Sequence, residues 1–260
     1  MAIPVRDHPV SPDATIRQVP QARVARLGPM QRIAAAHLSK SHLETAPITL
    51  LGEVEVDALV ALREALNSRA ARGAGPHVSL TALLAKIVAQ ALCAHPALNC
   101  TFVDGEVRIS DAVHMGVALS MPDDNLVVPV VRDVGRRTLY EVADALAEVG
   151  ARAKAGRLTL EDVRGATFTL TNPGGLRSAQ WSTPIIALPQ CAILGVGALK
   201  RKPVVRDGDV VPAWVLPTSL TVDHRVVNGV PAQRFVDTLY GLLAAPETAD
   251  LGTSNREGAR

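Results

Sequence analysis

The stretch Thr221–Phe235, TVDHRVVNGVPAQRF, ends an apolar run on a histidine flanked by an aspartate and an arginine, then passes through Asn228 and Gly229 into a helical pattern. A side chain at the end of a strand can project past the sheet edge. An imidazole there, titrating near neutrality, can take a proton from a thiol or hydroxyl and return it to a leaving group. His224 is therefore a candidate general base. A lone histidine at a turn is as readily a surface residue, so the rest of the chain has to decide.

Working outward, PAQRFVDTLYGLLAA (231–245) reads as a helix with Pro231 near its start, and TSLTVDH (218–224) as a strand. PVVRDGDVVPAWV (203–215) and LNCTFVDGEVRIS (98–110) are strand pairs around Asp207-Gly208 and Asp104-Gly105, dipeptides that suit a type I′ turn. VHMGVAL, NLVVPVVRD, ATFTLTN and QCAILGVGAL are further strands, and ITLLGEVEVDAL (48–59) turns strand-like through Val54 and Val56. Helices are expected in MQRIAAAHLSKSHLE (30–44), DALVALREALNSRAA (57–71) and SLTALLAKIVAQALCAH (79–95), the last capped by Ser79, nearly all apolar and hence buried. TLYEVADALAEVGARAKAG (138–156) carries Thr138 and Glu141 at capping-box spacing. Helices mixed with hairpins exclude a purely parallel sheet and predict one α/β domain on a mixed sheet.

Bulk composition narrows the function classes. With 260 residues, 48% of them hydrophobic, the chain can bury a substantial core. A net charge of +2 and 3% aromatics leave no basic stripe interleaved with stacking side chains, which argues against nucleic acid. Only five of the 27 basic residues are lysine, and arginine suits ion pairs between subunits. Residues 1–28, with Pro4, Pro9, Pro12 and Pro20, read as an extended arm, 29–247 as the folded domain and 248–260 as a polar tail. No run approaches about 18 apolar residues and no leader pattern opens the chain, so a cytoplasmic protein without a membrane partner is expected. Cys93, Cys100 and Cys191 are odd in number, form no CxxC and lie among apolar residues. They are expected to be buried thiols, with neither a disulfide framework nor a metal.

DHRVVNG resembles the DHRxxDG signature of the 2-oxo acid dehydrogenase acyltransferases. MQRIAAAHL, HPALN, NLVVPVVRD, TFTLTNPGG and PQCAILGVG resemble other segments of that family in the family's order, over residues 28–247. The resemblance implies a chloramphenicol acetyltransferase-like two-layer fold with flanking helices, assembled as a trimer. It also implies that His224 is the general base and that the Thr171 hydroxyl binds the oxyanion, a donor of a kind typically worth about 2.7–4 kcal/mol of barrier. In such a trimer His224 of one subunit meets Thr171 of the next. Asn228 stands where the family usually has Asp, so an ion pair is replaced by an amide. Arg225 and Asp223 are expected to hold the loop, and Gly229 to free the chain for its turn into the last helix.

The same resemblance places acetyl-CoA, the expected acyl donor, along ALSMPDDN (118–125) and ARAKAGR (151–157), making Ser120, Arg152 and Lys154 its candidate contacts. A solvated helix face is the plain alternative for those charges. Ile48 follows Pro47 where the family often has a histidine, which points to an altered acceptor side. The arm is too short for a lipoyl domain and no Asp-Lys lipoylation turn occurs, so no lipoyl group is expected on this chain. The leading expectation is thus O-acetylation of a small-molecule hydroxyl, as in freestanding relatives that acetylate a hydroxymethyl tetronate in antibiotic biosynthesis. The alternatives are a dihydrolipoamide acyltransferase core acting on lipoyl groups of another chain, and a non-catalytic trimeric scaffold.

Overall fold

The computed structural model describes residues 26–73, 75–121, 126–175 and 178–253. Most of the expected arm (1–28), residues 122–125 of ALSMPDDN and the tail beyond 253 lie outside the described residues. Pro29–Glu44 forms α1, begun by Pro29 at its first turn. Its Leu38 and Leu43 are exposed, and Ser41, buried, donates to the Ile186 carbonyl at 2.5 Å. β1 (Pro47–Glu55) follows and stops where Asp57–Ala70 winds into α2. In α3 (Leu80–Ala94) the Ser79 hydroxyl accepts the Ala82 N–H at 3.1 Å, and the interior of the helix is buried as its sequence requires. Lys86 lies within that buried run and satisfies its ammonium on the Gly135 carbonyl at 3.0 Å; burial lowers its pKa.

β2 (Cys100–Val103) and β3 (Glu106–Ile109) make a separate hairpin. Its turn residues Asp104 and Gly105 have φ of 51° and 81°, the left-handed pair that a type I′ turn needs. β4 (Met115–Ser120) is followed by a departure from expectation. NLVVPVVRD forms two short strands, β5 (Leu126–Val127) and β6 (Val130–Val131), because Pro129 between them has no N–H to give a ladder. α4 (Leu139–Lys154) has the reciprocal bonds of its capping box: Glu141 accepts the Thr138 N–H at 2.8 Å, and Thr138 Oγ1 accepts the Glu141 N–H at 3.2 Å.

β7 (Phe168–Thr171), β8 (Ala192–Val196), β9 (Lys200–Arg206) and β10 (Asp209–Asp223) precede α5 (Gly229–Ala244). The two strands expected in 203–224 on the far side of Asp207-Gly208 are one, β10, fifteen residues long. The main sheet runs β1-β10-β8-β7-β4-β5, antiparallel from β1 to β8, parallel through β7 and β4, and antiparallel again to β5. It is the mixed α/β sheet with flanking helices that the sequence implies.

Its two faces differ in chemistry. Ile48, Leu50, Leu220, Val222, Leu194, Phe168 and Leu170 point one way and join the core with α2, α3, α4 and α5; Phe235 of α5 meets Phe168 at 6.2 Å between ring centroids. Each such side chain, fully buried, stabilises by about 1.5–3 kcal/mol. The other face carries small and hydroxyl residues in register: Thr49 opposite Thr221, Thr221 opposite Ile193 and Ile193 opposite Thr169, then Ser219, Gly195 and Thr171 in the next row. The segment around Gln180 crosses here against β8. A Cβ on Gly197 would stand 1.9 Å from the Gln180 carbonyl oxygen, so this position requires glycine. Packing continues past residue 247: Leu251 is buried and its carbonyl accepts the Leu139 N–H at 2.8 Å. Among the described residues no helix is long and apolar enough to cross a membrane.

Candidate active site

β10 ends at Asp223 because three elements seize the chain there. The Asp223 N–H donates to the Cys191 carbonyl at 2.9 Å and the His224 N–H to the Ala46 carbonyl at 2.8 Å, while the Val226 and Val227 N–H groups turn back onto the Asp223 carbonyl. The Asp223 carboxylate is 1% exposed and accepts the Ala46 N–H at 3.2 Å, the Arg225 N–H at 3.1 Å and the Arg225 guanidinium at 2.6–3.1 Å. Burial alone would raise its pKa; those hydrogen bonds outweigh it and hold the carboxyl below the ordinary aspartate range. Arg225 also lies 5.0 Å from the centre of the Phe102 ring. Asp223 and Arg225 thus hold the corner, and the His224 side chain stands exposed with no hydrogen-bond partner among the described residues.

Asn228 is the N-cap of α5, yet its exposed amide makes no capping bond, which leaves it available to face a ligand or neighbour. The expectation for Gly229 fails. It is not among the positive-φ glycines and a Cβ would meet open space, so the turn into α5 does not depend on glycine there.

Thr171 closes β7 half-buried, between Ala118 on β4 and Gly195 on β8. The next residue, Asn172, donates Nδ2–H to Thr81 Oγ1 at 3.2 Å, tying the strand end to the first turn of α3. Gly195 also pairs with Ser219, so Thr171 is level with a residue five before His224 on β10, with β8 between the two strands. At about 3.3 Å per residue and about 4.8 Å per strand, the separation is roughly 17 Å along the sheet and roughly 10 Å across it. One chain therefore holds His224 and Thr171 at opposite ends of its sheet.

The three cofactor candidates divide. Ser120 and Lys154 line the same cavity, of about 470 Å³, together with Leu119, Leu146 and Gly150. Arg152 points to the other side of α4, where Glu148 and Asp162 bind its guanidinium. Two further expectations are corrected. Ile48 packs against the core, while Pro47 and Thr49 line the cavity beside α1, so Ile48 reports nothing about an acceptor. Cys93 is exposed near the end of α3, whereas Cys100 and Cys191 are buried.

The model of the family described as 2-oxoacid dehydrogenases acyltransferase (catalytic domain) matches residues 20–251. The chain belongs to this family. This acyltransferase-family domain is 36% identical over 249 residues to the dihydrolipoyllysine-residue acetyltransferase component of the Staphylococcus epidermidis pyruvate dehydrogenase complex, covering 95% of the chain and 54% of that relative. It thus spans about half the length of such curated relatives. A structure of the cubic core of the pyruvate dehydrogenase multienzyme complex superposes with a TM-score of 0.84 at 31% identity, covering 93% of this chain and 99% of that one. The same figures hold for the Azotobacter vinelandii dihydrolipoamide acetyltransferase, studied for the catalytic roles of a serine, a histidine and an asparagine, the asparagine four positions after the histidine.

Sequence reasoning missed Ala46, Phe102 and the Cys191 carbonyl as supports of the His224 corner. Their contacts span more than a hundred residues or lie on the backbone, so no local pattern announces them. Ile48 was legible, since it shares parity with Leu50 and Val54 on the apolar side of β1.

Proposed function

We propose that this domain transfers an acyl group between coenzyme A and a dihydrolipoyl thiol carried by another domain or chain, at a site shared by adjacent copies. The observation that supports it is the spacing of His224 and Asn228 on a locked corner, the histidine–asparagine spacing of the Azotobacter vinelandii enzyme. In this reading the amide of Asn228 supports the His224 corner. The hydroxyl-acceptor reading rested on His224 and Thr171 without a lipoyl group on this chain, together with Ile48 at the acceptor side, and Ile48 packs half-buried against the core instead.

His224 takes the proton of the attacking thiol as its sulfur adds to the thioester carbonyl. The oxyanion of the tetrahedral intermediate receives the Thr171 hydroxyl of the neighbouring copy. Collapse expels the coenzyme A sulfur, which takes the proton back from His224. In this reading Ser120 and Lys154, which line one cavity, contact the coenzyme's polar groups. The wide separation of His224 and Thr171 in one chain is what a boundary site needs, a cubic particle has three-fold corners, and exposed Leu38 and Leu43 on α1 offer apolar surface to a neighbour.

Incubation with acetyl-CoA and dihydrolipoamide should release free coenzyme A, with light scattering reporting trimers or a larger cubic particle. Release with small alcohols alone, and none with dihydrolipoamide, overturns the thiol acceptor. A monomer that retains full activity overturns the shared site.

A further inference from the structure

β2 and β8 belong to different sheets, yet one antiparallel bridge joins the segments that carry them. Thr101 lies opposite Gln190, the Phe102 N–H donates to the Pro189 carbonyl at 2.8 Å, and the Cys191 N–H to the Cys100 carbonyl at 3.2 Å. Extending that register by one residue sets Cys100 directly opposite Cys191. Both are fully buried. Hydrogen-bonded residues opposed in this way stand about 5.5 Å apart at Cα, inside the roughly 4.4–6.8 Å that a disulfide spans. Residues opposed across such a pair generally have Cβ atoms about 4.5–5.5 Å apart against a disulfide mean near 3.8 Å, so a cross-link has to draw the two segments together by about 1–2 Å.

Those segments support both sides of the His224 corner. The Cys191 carbonyl holds the Asp223 N–H, and Phe102, two residues after Cys100, lies under the Arg225 guanidinium. We propose that Cys100 and Cys191 form a reversible redox cross-link that displaces the His224 corner when oxidised and restores it when reduced. The effect on activity rests on His224 being the general base; the cross-link itself does not.

With hydrogen peroxide as oxidant, the Cys100 sulfur attacks one peroxide oxygen, the O–O bond breaks, and the departing hydroxide leaves as water with the thiol proton. The Cys191 sulfur then attacks the resulting sulfenic sulfur, the S–O bond breaks, and a second water leaves. Two thiols and one peroxide give one disulfide and two waters, and a dithiol reductant reverses the change. Cys100 Sγ–H rests on the Ala97 carbonyl at 3.2 Å and burial raises the Cys191 thiol, and the two sulfurs can exchange roles in these steps without changing the balance. A cross-link strained in this way belongs to the labile, reducible class.

The full chain carrying Cys93→Ser, which removes the exposed thiol, would be treated with hydrogen peroxide, unfolded in alkylating agent and digested for mass spectrometry. A Cys100–Cys191 linked peptide, absent before treatment and lost with dithiothreitol, is expected. Acyl transfer should fall roughly tenfold or more and recover on reduction, since a displacement of about 1 Å can cost up to about a hundredfold. Cys191→Ser and Cys191→Ala, each compared with its own untreated sample, should keep their rates under peroxide. If both cysteines remain alkylatable while peroxide oxidises methionine elsewhere, the cross-link is overturned. A linked peptide with an undiminished rate overturns the switch. If His224→Ala leaves the untreated rate intact, the reading of His224 fails, and the linked peptide still decides the cysteine chemistry.

Discussion

The His224 end and the Thr171 end of the sheet are built differently. At the first, a buried carboxylate, an arginine, two backbone carbonyls and an aromatic ring fix the backbone and leave the imidazole outside. At the second, Thr171 ends a short strand between Ala118 and Gly195, and the next residue, Asn172, is tied to Thr81. A general base has to hold one direction while it receives and returns a proton. An oxyanion donor needs a rigid strand and open space in front of it, which small neighbours provide. Neither end is complete, and the roughly 20 Å of sheet between them in one chain sets where a second copy has to sit.

The largest test removes one end at a time. His224→Ala should lower kcat/KM by about 10²–10⁴-fold and Thr171→Ala by about 10²–10³-fold, with Thr171→Ser retaining most of the rate. Mixing these two dead variants within one oligomer then breaks or sharpens the comparison. If each site joins the histidine of one copy to the hydroxyl of the next, equal random mixing restores about a quarter of the wild-type sites. No recovery in verified mixed oligomers would mean that both residues serve one chain.

A middle-sized effect is expected at the support of the first end. Asp223→Asn keeps the shape but loses the charge that Arg225 and Ala46 bind, at a cost of about 1.5–3 kcal/mol, read as a lower urea midpoint with unchanged slope. The sign in acid follows from the depressed folded pKa of Asp223. Its contribution is fully present above the ordinary aspartate pKa of about 3.9 and is lost as pH falls through the lower folded value. The variant should therefore lose less stability than the wild type over that acid window. Equal acid slopes would remove Asp223 from the account.

Much of the fold was legible because its signals are local. Ser79, the Thr138–Glu141 box and both Asp-Gly turns act within a few residues, and each does in the structure what its chemistry dictates. The departures arise where a distant partner or a missing donor decides. Pro129 split an apolar run that pattern alone joined, and Asp209–Asp223 stayed one strand despite Pro212 and Pro217 because β9 and β1 pair along it in turn. The candidate site was read from single residues, and their arrangement was not legible. DHRVVNG pointed to His224 as a candidate, but only the sheet register shows how far Thr171 lies from it, and only α4's orientation separates Arg152 from Lys154.

The smallest expected effect falls on Asn228, which joins the locked corner to α5. Its amide makes no capping bond, so Asn228→Asp breaks none, and an acid at a helix N-terminus should add about 0.3–1 kcal/mol through the helix dipole. The amide's N–H donor is what the substitution removes, so kcat/KM reads whether that donor is used. If Asn228 only supports the corner, the rate should match the wild type. A clear loss of rate in a variant of undiminished stability would show that the donor is required, and Asn228 would move from the support of His224 to a contact with the reacting atoms.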